Sequence, residues 1–258
     1  MKSKSKIIAF SNQKGGVGKS TSCINISAVL GSEGYRILVI DMDPQANTTS
    51  GLGIDEKKTF KNIYHCMVND VSFDSQTILK TNFKNVDIIP SDIVLANAEL
   101  ELAAAMGREC ILKDIIQRSN LDYDYILVDL PPNLGLLTIN GLVAADEVII
   151  PIDVSVFALS GVSQLVNVIK TVKKKLNQDL EILGAVLTKV DSRTNLSKEI
   201  QSVISDIFKD KLFKTVIHQS IKIAESQKEQ KPVTYYDPKC NSSKEYISLT
   251  NEILLSVK

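Results

Sequence analysis

Short apolar runs alternate with longer stretches of helical period along this chain. The runs Lys6–Phe10, Arg36–Asp41, Val86–Ile89, Tyr125–Asp129, Glu147–Ile152 and Ile182–Lys189 read as strands, with a further candidate at Lys214–Ile217. Between them, apolar residues recur every three or four positions over Lys19–Gly31, Leu95–Met106, Leu137–Ala145, Val162–Leu176, Leu196–Phe208 and Ser243–Val257, which predicts helices. Strand and helix taking turns in this way is the pattern of an α/β fold, a mostly parallel twisted sheet flanked by helices. Ile37-Leu-Val-Ile40 and Val148-Ile-Ile150 are nearly continuous hydrophobics, as expected of central strands covered on both faces. No repeat or low-complexity linker interrupts the pattern, and the polar stretch from Ile54 to Thr81 reads as an excursion, so residues 1–258 are expected to form a single domain.

Composition narrows the picture. The 258 residues are 44% hydrophobic, enough for one large core, and 30 basic residues cancel 30 acidic ones. A neutral chain does not advertise nucleic-acid binding, so any such activity has to come from a local patch. Cys23, Cys66, Cys110 and Cys240 are scattered, with neither zinc-site spacing nor disulfide density, and reduced thiols are expected. The basic start, Met1–Lys6, is followed by an apolar run that stops at Phe10, too short for an export signal, and no transmembrane-length run follows. A cytoplasmic location with no membrane partner is the expectation.

The chemistry begins where the first strand meets the first helix, at Asn12-Gln-Lys-Gly-Gly-Val-Gly-Lys-Ser-Thr21. Glycines there turn backbone N–H groups inward to cradle phosphate, and the helix N-terminus adds its partial positive charge. Gly15, Gly16, Val17, Gly18 and Thr21 are the cradle candidates; Lys19 is placed to reach the β- and γ-phosphates and the Ser20 hydroxyl to meet magnesium. Gln13 stands where the usual pattern has its first glycine, and Lys14 precedes the paired glycines, which makes this a deviant Walker A motif. A second cluster, Asp41-Met-Asp-Pro-Gln45, ends the second strand; Asp41 and Asp43, two apart, are expected to share a face toward the crevice. Tyr125-Ile-Leu-Val-Asp129 reads as a Walker B strand holding magnesium, and Leu130-Pro-Pro132 as a stiff exit able to respond to the γ-phosphate.

The chain resembles the ParA/Soj-type chromosome or plasmid partitioning ATPases of the ParA/MinD superfamily from about Lys6 to Leu255. The likeness is carried by Lys14–Thr21, Asp41–Asn47 with Ser50–Gly53, Asp124–Pro132 with Leu134–Asn140, Asp191–Leu196, and Lys231-Pro-Val with Tyr236-Asp-Pro238. The resemblance implies ATP and Mg2+ as cofactors and a homodimer when ATP is bound. Lys14 would then reach the partner's nucleotide, much as an arginine finger does, and Asp43 would orient the attacking water, so that Lys14, Lys19 and Asp43 form the catalytic set. Ser20, Asp41 and Asp129 are the implied metal residues. It also implies non-specific double-stranded DNA binding through Arg193 and Lys222, a nucleoid-associated location, and stimulation by a ParB-type centromere-binding protein; Lys170, Lys173, Lys174 and Lys175 would extend the patch. Where relatives usually read Ile-Pro-Arg-Asn and Ser-Glu-Ala-Pro-Ser around the adenine, this chain has Ile217-His-Gln-Ser220 and Ala224-Glu-Ser-Gln-Lys228, leaving His218 and Ser220 as candidate base contacts.

Three other readings predict features that differ. A MinD-like membrane-associated ATPase would carry a basic amphipathic tail, whereas Lys244–Lys258 has few basic residues and reads as a packed helix. An iron–sulfur relative would need interface cysteines near the Walker B strand. A longer ParA that also regulates transcription carries an N-terminal helix-turn-helix, for which the residues before the first strand leave no room.

Overall fold

A computed structural model describes residues 5–55, 61–155, 158–191, 193 and 195–257. Residues 1–4 of the basic start, 56–60 of the polar excursion, and Ser192 and Thr194 of the 191–196 motif lie outside them. The strands are β1 (Lys6–Phe10), β2 (Ile37–Asp41), β3 (Leu79–Lys80), β4 (Val86–Ile89), β5 (Tyr125–Asp129), β6 (Glu147–Asp153) and β7 (Glu181–Thr188). They form one seven-stranded sheet in the order β3-β4-β2-β5-β1-β6-β7, parallel except for β3, which pairs antiparallel with β4. The expected α/β class is therefore what the chain adopts.

The helices are α1 (Lys19–Ser32), α2 (Asn47–Gly51), α3 (Ile63–Val68), α4 (Ala98–Glu101), α5 (Ile111–Arg118), α6 (Leu136–Ala144), α7 (Ala158–Lys175), α8 (Asn195–Phe208), α9 (Ile221–Lys228), α10 (Val233–Tyr236) and α11 (Asn241–Ser256). Alternation along the strands divides the core into two layers. Ile7, Ala9, Leu38 and Ile40 face a cluster with residues of α3, α5, α6, α7 and α8; Ile8, Phe10, Ile37 and Val39 face one with α1, α10 and α11. Both faces are covered, which is why these strands read as continuous apolar runs. Truncating a fully buried residue such as Ile126 or Leu127 to alanine is expected to cost about 2–5 kcal/mol.

Two predicted elements differ. The helix expected over Leu95–Met106 is a 3-10 turn at Ile93–Asn97 followed by the single turn α4, because only Leu95, Ala98 and Leu102 find a core to bury against while Leu100 and Met106 stay exposed. The strand expected at Lys214–Ile217 does not form. There the Glu252 carboxylate of α11 accepts from Lys214 N (2.7 Å) and Thr215 N (2.8 Å), removing two donors a strand would have used. Among the described residues this stretch is flanked by two isolated bridges, Leu212 to Ala185 within β7 and His218 to Val190 just past it.

Candidate functional site

Because β1 lies between β5 and β6, the loop that leaves it emerges at the centre of the sheet's carboxyl edge, where open α/β sheets bind ligands. The loop is held before any ligand arrives. Asn12, buried at its start, donates from Nδ2 to Pro151 O (2.7 Å) while its Oδ1 accepts from Lys14 N (3.0 Å), tying the entry to β6. Thr188 at the end of β7 donates its hydroxyl to Val17 O (2.7 Å), tying the middle. Gly16 and Gly18 have φ of 72° and 87°, left-handed values that side chains resist, and Gly18 is the N-cap of α1.

A cavity of about 670 Å3 opens over this loop. Its phosphate-sized end is lined by Gly15, Gly16, Gly18, Lys19, Ser20 and Asp43, and its far end by Thr21, His218, Ser220, Ala224, Gln227 and Tyr246. Of the cradle candidates, Val17 has its side chain buried; Lys14, expected to reach a partner's nucleotide, is bonded within the chain to the carboxylate of Asp153 and to the Ser155 hydroxyl (2.8 Å).

Lys19 is 5% exposed, and its ammonium donates to Lys14 O at 3.4 Å. Burial pushes its pKa down; the charges of Asp129 and Asp43 pull the other way and do not win. A buried ammonium in a cradle of inward N–H groups is a place where an anion gains from every neighbour.

Asp41 and Asp129 end adjacent strands in register and are fully buried. Burial raises the pKa of both carboxyls, and in Asp41 the neighbouring Asp129 charge raises it further; in Asp129 the nearby Ser20 hydroxyl and the hydrogen bond from Thr48 oppose the rise. The face expected for Asp41 and Asp43 is not shared, because β2 ends at Asp41. Asp41 points inward, where Oδ1 accepts from Asp43 N (3.1 Å) and Oδ2 from Thr49 N (2.8 Å) and Thr49 Oγ1 (2.7 Å). Asp43 lines the cavity, with Oδ1 accepting from Gln45 N (3.0 Å) and a pKa raised chiefly by burial. Asp129 accepts from Thr48 Oγ1 (2.6 Å) at Oδ2, while its Oδ1 is buried with no hydrogen-bond partner among the described residues. A buried, unpartnered carboxylate oxygen with the Ser20 hydroxyl nearby is the donor set a hard, oxygen-seeking cation such as magnesium fits.

At the far end, His218 Nδ1 is 2.7 Å from Glu245 Oε1, and the Ser220 hydroxyl accepts from Lys222 N (3.2 Å), capping α9. Gln227 donates from Nε2 to Thr21 Oγ1 (2.8 Å), closing α9 onto α1. The two predicted DNA-contact residues sit at an adjoining surface. Arg193, 89% exposed at its side chain, makes a two-pronged bond to Asp191 (2.9 and 2.7 Å) and borders a second cavity with Ile221. Lys222 bonds Glu225 (2.9 Å) and lies 5.8 Å from the Tyr236 ring centre. In the last turn of α7, Lys173 is bonded to Glu181.

Several residues of this site escaped the sequence reading: Thr48, Thr49, Asp153, Ser155, Thr188, Lys189 and Gln227. Lys189 is exposed with a left-handed φ of 53°, lines the cavity, and holds its ammonium beside Gly16. For Asp153, Ser155, Thr188 and Lys189 the available signal was their position at or just past the carboxyl ends of β6 and β7; Thr48 and Thr49 lie in α2 and Gln227 in α9.

A family model described as an AAA domain matches residues 5–182. The sporulation initiation inhibitor protein Soj of Bacillus subtilis (strain 168) is 44% identical over 249 residues, 96% of this chain and 98% of that protein. The chromosome partitioning protein ParA of Myxococcus xanthus (strain DK1622) is 39% identical over 249 residues, 96% of this chain and 88% of that one. Among solved structures, cobyrinic acid a,c-diamide synthase from Mycobacterium smegmatis with bound ATP analog and magnesium superposes with a TM-score of 0.84 at 32% identity, covering 97% of this chain and 95% of its own.

Proposed function

Because the chain belongs to the ParA/Soj family of partitioning ATPases, we propose that it is a DNA-segregation ATPase whose ATP-bound form is a face-to-face dimer that binds DNA without sequence preference. On this reading residues 1–258 work as one domain, and a ParB-type partner stimulates hydrolysis. The enzyme is an ATPase, with ATP and Mg2+ as cofactors.

The observation that carries the reading is the buried Lys19 ammonium set in a preformed glycine cradle, with Asp43 on the cavity wall and the Asp129 carboxylate beneath. Gly15, Gly16, Gly18 and the first turn of α1 offer N–H groups to the phosphates, and Lys19 supplies the counter-charge that strengthens as charge moves onto the γ-phosphoryl oxygens. Ser20 and Asp129 would hold magnesium, which supplies charge neutralisation at the phosphates. Asp43, buried on the cavity wall, is placed to accept a hydrogen bond from the attacking water and aim it. His218, Ser220 and Gln227 face the base end.

Lys14 acts in trans on this reading, leaving Asp153 and Ser155 for the partner's phosphates. Arg193 and Lys222 supply phosphate contacts, and doubling them in a dimer lets a neutral chain bind DNA. A MinD-like role receives less support: α11 buries Tyr246, Leu249 and Ile253 against the α1 side of the sheet rather than presenting an apolar face to lipid, and among the described residues no helix is long and apolar enough to cross a membrane.

The test is light scattering of the purified chain with ADP or with a slowly hydrolysed ATP analogue, followed by DNA retention of each form. A dimer with the analogue alone, retained on DNA of unrelated sequences, is the expected result. A monomer under both conditions would overturn the reading.

A further inference from the structure

Two consecutive threonines of α2 each hold one of the buried carboxylates. Thr49 bonds Asp41 through its hydroxyl and its N–H, and Thr48 donates its hydroxyl to Asp129 Oδ2 at 2.6 Å. Thr48 and Thr49 are themselves completely buried. Their placement is firm: Ser91 N donates to Thr49 Oγ1 (2.9 Å), and α2 packs so tightly on α1 that a Cβ on Gly51 would come within 2.4 Å of Ile24 Cδ1. The helix is entered through Ala46 at φ 52°, a left-handed conformation that a residue with a side chain keeps only where its surroundings enforce it.

The consequence falls on the other oxygen. A carboxylate at the end of a strand can turn about its last bond and exchange its two oxygens. A short O–H···O⁻ bond to one of them stops that rotation, and the branched β-carbon of threonine restricts the hydroxyl further. Asp129 Oδ1 is thereby left buried and unpartnered among the described residues, with Ser20 beside the carboxylate.

We propose that Thr48 is the positioning residue of the magnesium site: its hydroxyl takes Oδ2 of Asp129 and so presents Oδ1, and Oδ1 alone, to the cation. The proposal rests on the ATPase reading above. It assigns α2 a task apart from that of the two residues that would hold the cation, Ser20 in the first turn of α1 and Asp129 at the end of β5. The carboxylate also accepts a hydrogen bond from α2, so metal affinity and the seating of α2 depend on each other.

The experiment titrates Mg2+ against binding of a fluorescent, slowly hydrolysed ATP analogue by the full chain, with parallel measurements in EDTA. Outer-shell partners of metal ligands are typically worth 10- to 100-fold in metal affinity. Thr48→Val is expected to raise the Mg2+ midpoint by roughly that factor, to leave analogue affinity in EDTA within about twofold of wild type, and to be rescued by Thr48→Ser, which keeps the hydroxyl. Thr48→Ala gives the same readings should the valine variant fail to fold. An unchanged Mg2+ midpoint in the valine and alanine variants overturns the proposal, as does an equal loss in Thr48→Ser, which would make the residue a packing element. Failure of the wild-type chain to bind the analogue with or without Mg2+ would instead overturn the ATPase reading.

Discussion

Lys14 and Asp153 are partners within one chain: the ammonium of the glycine-rich loop is bonded to the carboxylate at the end of β6, with the Ser155 hydroxyl as a second acceptor. The Lys14 side chain is 35% exposed and that of Asp153 16%, so the bond is screened by water and is worth little on the scale of ion pairs. In the dimer proposed above, a weak internal bond of this kind is a competitor that a partner's triphosphate would displace. Asp153→Ala removes the competitor and is expected to tighten ATP-dependent dimerisation by about fivefold per released lysine. Sedimentation with an ATP analogue measures it; Lys14→Ala should stay monomeric in either background. Equal dimer affinity in wild type and Asp153→Ala would show that Lys14 is not held in reserve.

Lys19 makes two opposed predictions. Losing a charge-assisted bond to phosphate, Lys19→Met should weaken ATP binding roughly 10- to 100-fold. The same change relieves the ligand-free protein of a buried ammonium. Since burial lowers the folded-state pKa below the unfolded value of 10.5, the unfolded chain binds more protons between those values, and stability attributable to Lys19 rises with pH across that window. Thermal midpoints from pH 7 to 10 should therefore climb more steeply for wild type than for Lys19→Met. Parallel curves would contradict the burial argument.

Asp191 restrains Arg193, the arginine proposed to contact DNA. The Arg193 side chain, by its hydrogen bonds, holds the Asp191 pKa at about 2, so the pair is intact above the unfolded value of 3.8 and is lost only as pH falls from there toward 2. Asp191→Asn should tighten DNA binding roughly two- to fivefold, by the same factor at pH 5 and pH 8. Arg193→Glu should weaken it and flatten the logarithmic salt slope by roughly one unit per lost phosphate contact. Filter retention at several salt concentrations distinguishes these outcomes from a mere change in folding.

The thiols offer a check on the core. Cys23 and Cys66 are fully buried, and burial pushes the Cys66 thiol up to about 11 and that of Cys23 well above its ordinary value; Cys110 and Cys240 are half-buried. A disulfide-exchange reagent at pH 8 should titrate Cys110 and Cys240 in the folded chain and all four thiols in denaturant. Reaction of Cys66 at the rate of Cys110 would mean that α3 does not close over the sheet.

What the sequence discloses follows from how local its causes are. β1, β2, β4 and β5 announce themselves because both faces of each are buried, and the loop at 12–21 because its glycines are required by left-handed backbone at Gly16 and Gly18. The segment holding α9 and α10 carries no such signal. It is polar and short, and its fixity comes from distant partners: Gln227 on Thr21, Gln230 on Ser50, and Val233 N on Asn25 Oδ1 at 2.7 Å. Thr48 and Thr49 are equally silent in sequence, since a hydroxyl beside a turn becomes a carboxylate clamp only when a strand more than 80 residues later sets Asp129 beside Asp41. The failed helix at 95–106 shows the opposite error, a local period with too little core to support it.

The packing of α11 on α1 ties the glycine-rich loop to a distant part of the chain. Tyr246, Leu249 and Ile253 share a cluster with Cys23, Ile26 and Leu30, and Tyr246 reaches the cavity wall. The rear of α1 is thus sealed by a helix far away along the chain. A chain cut before Asn241 is expected to keep the whole glycine-rich loop and yet capture no triphosphate, which nucleotide retention by the truncated chain checks.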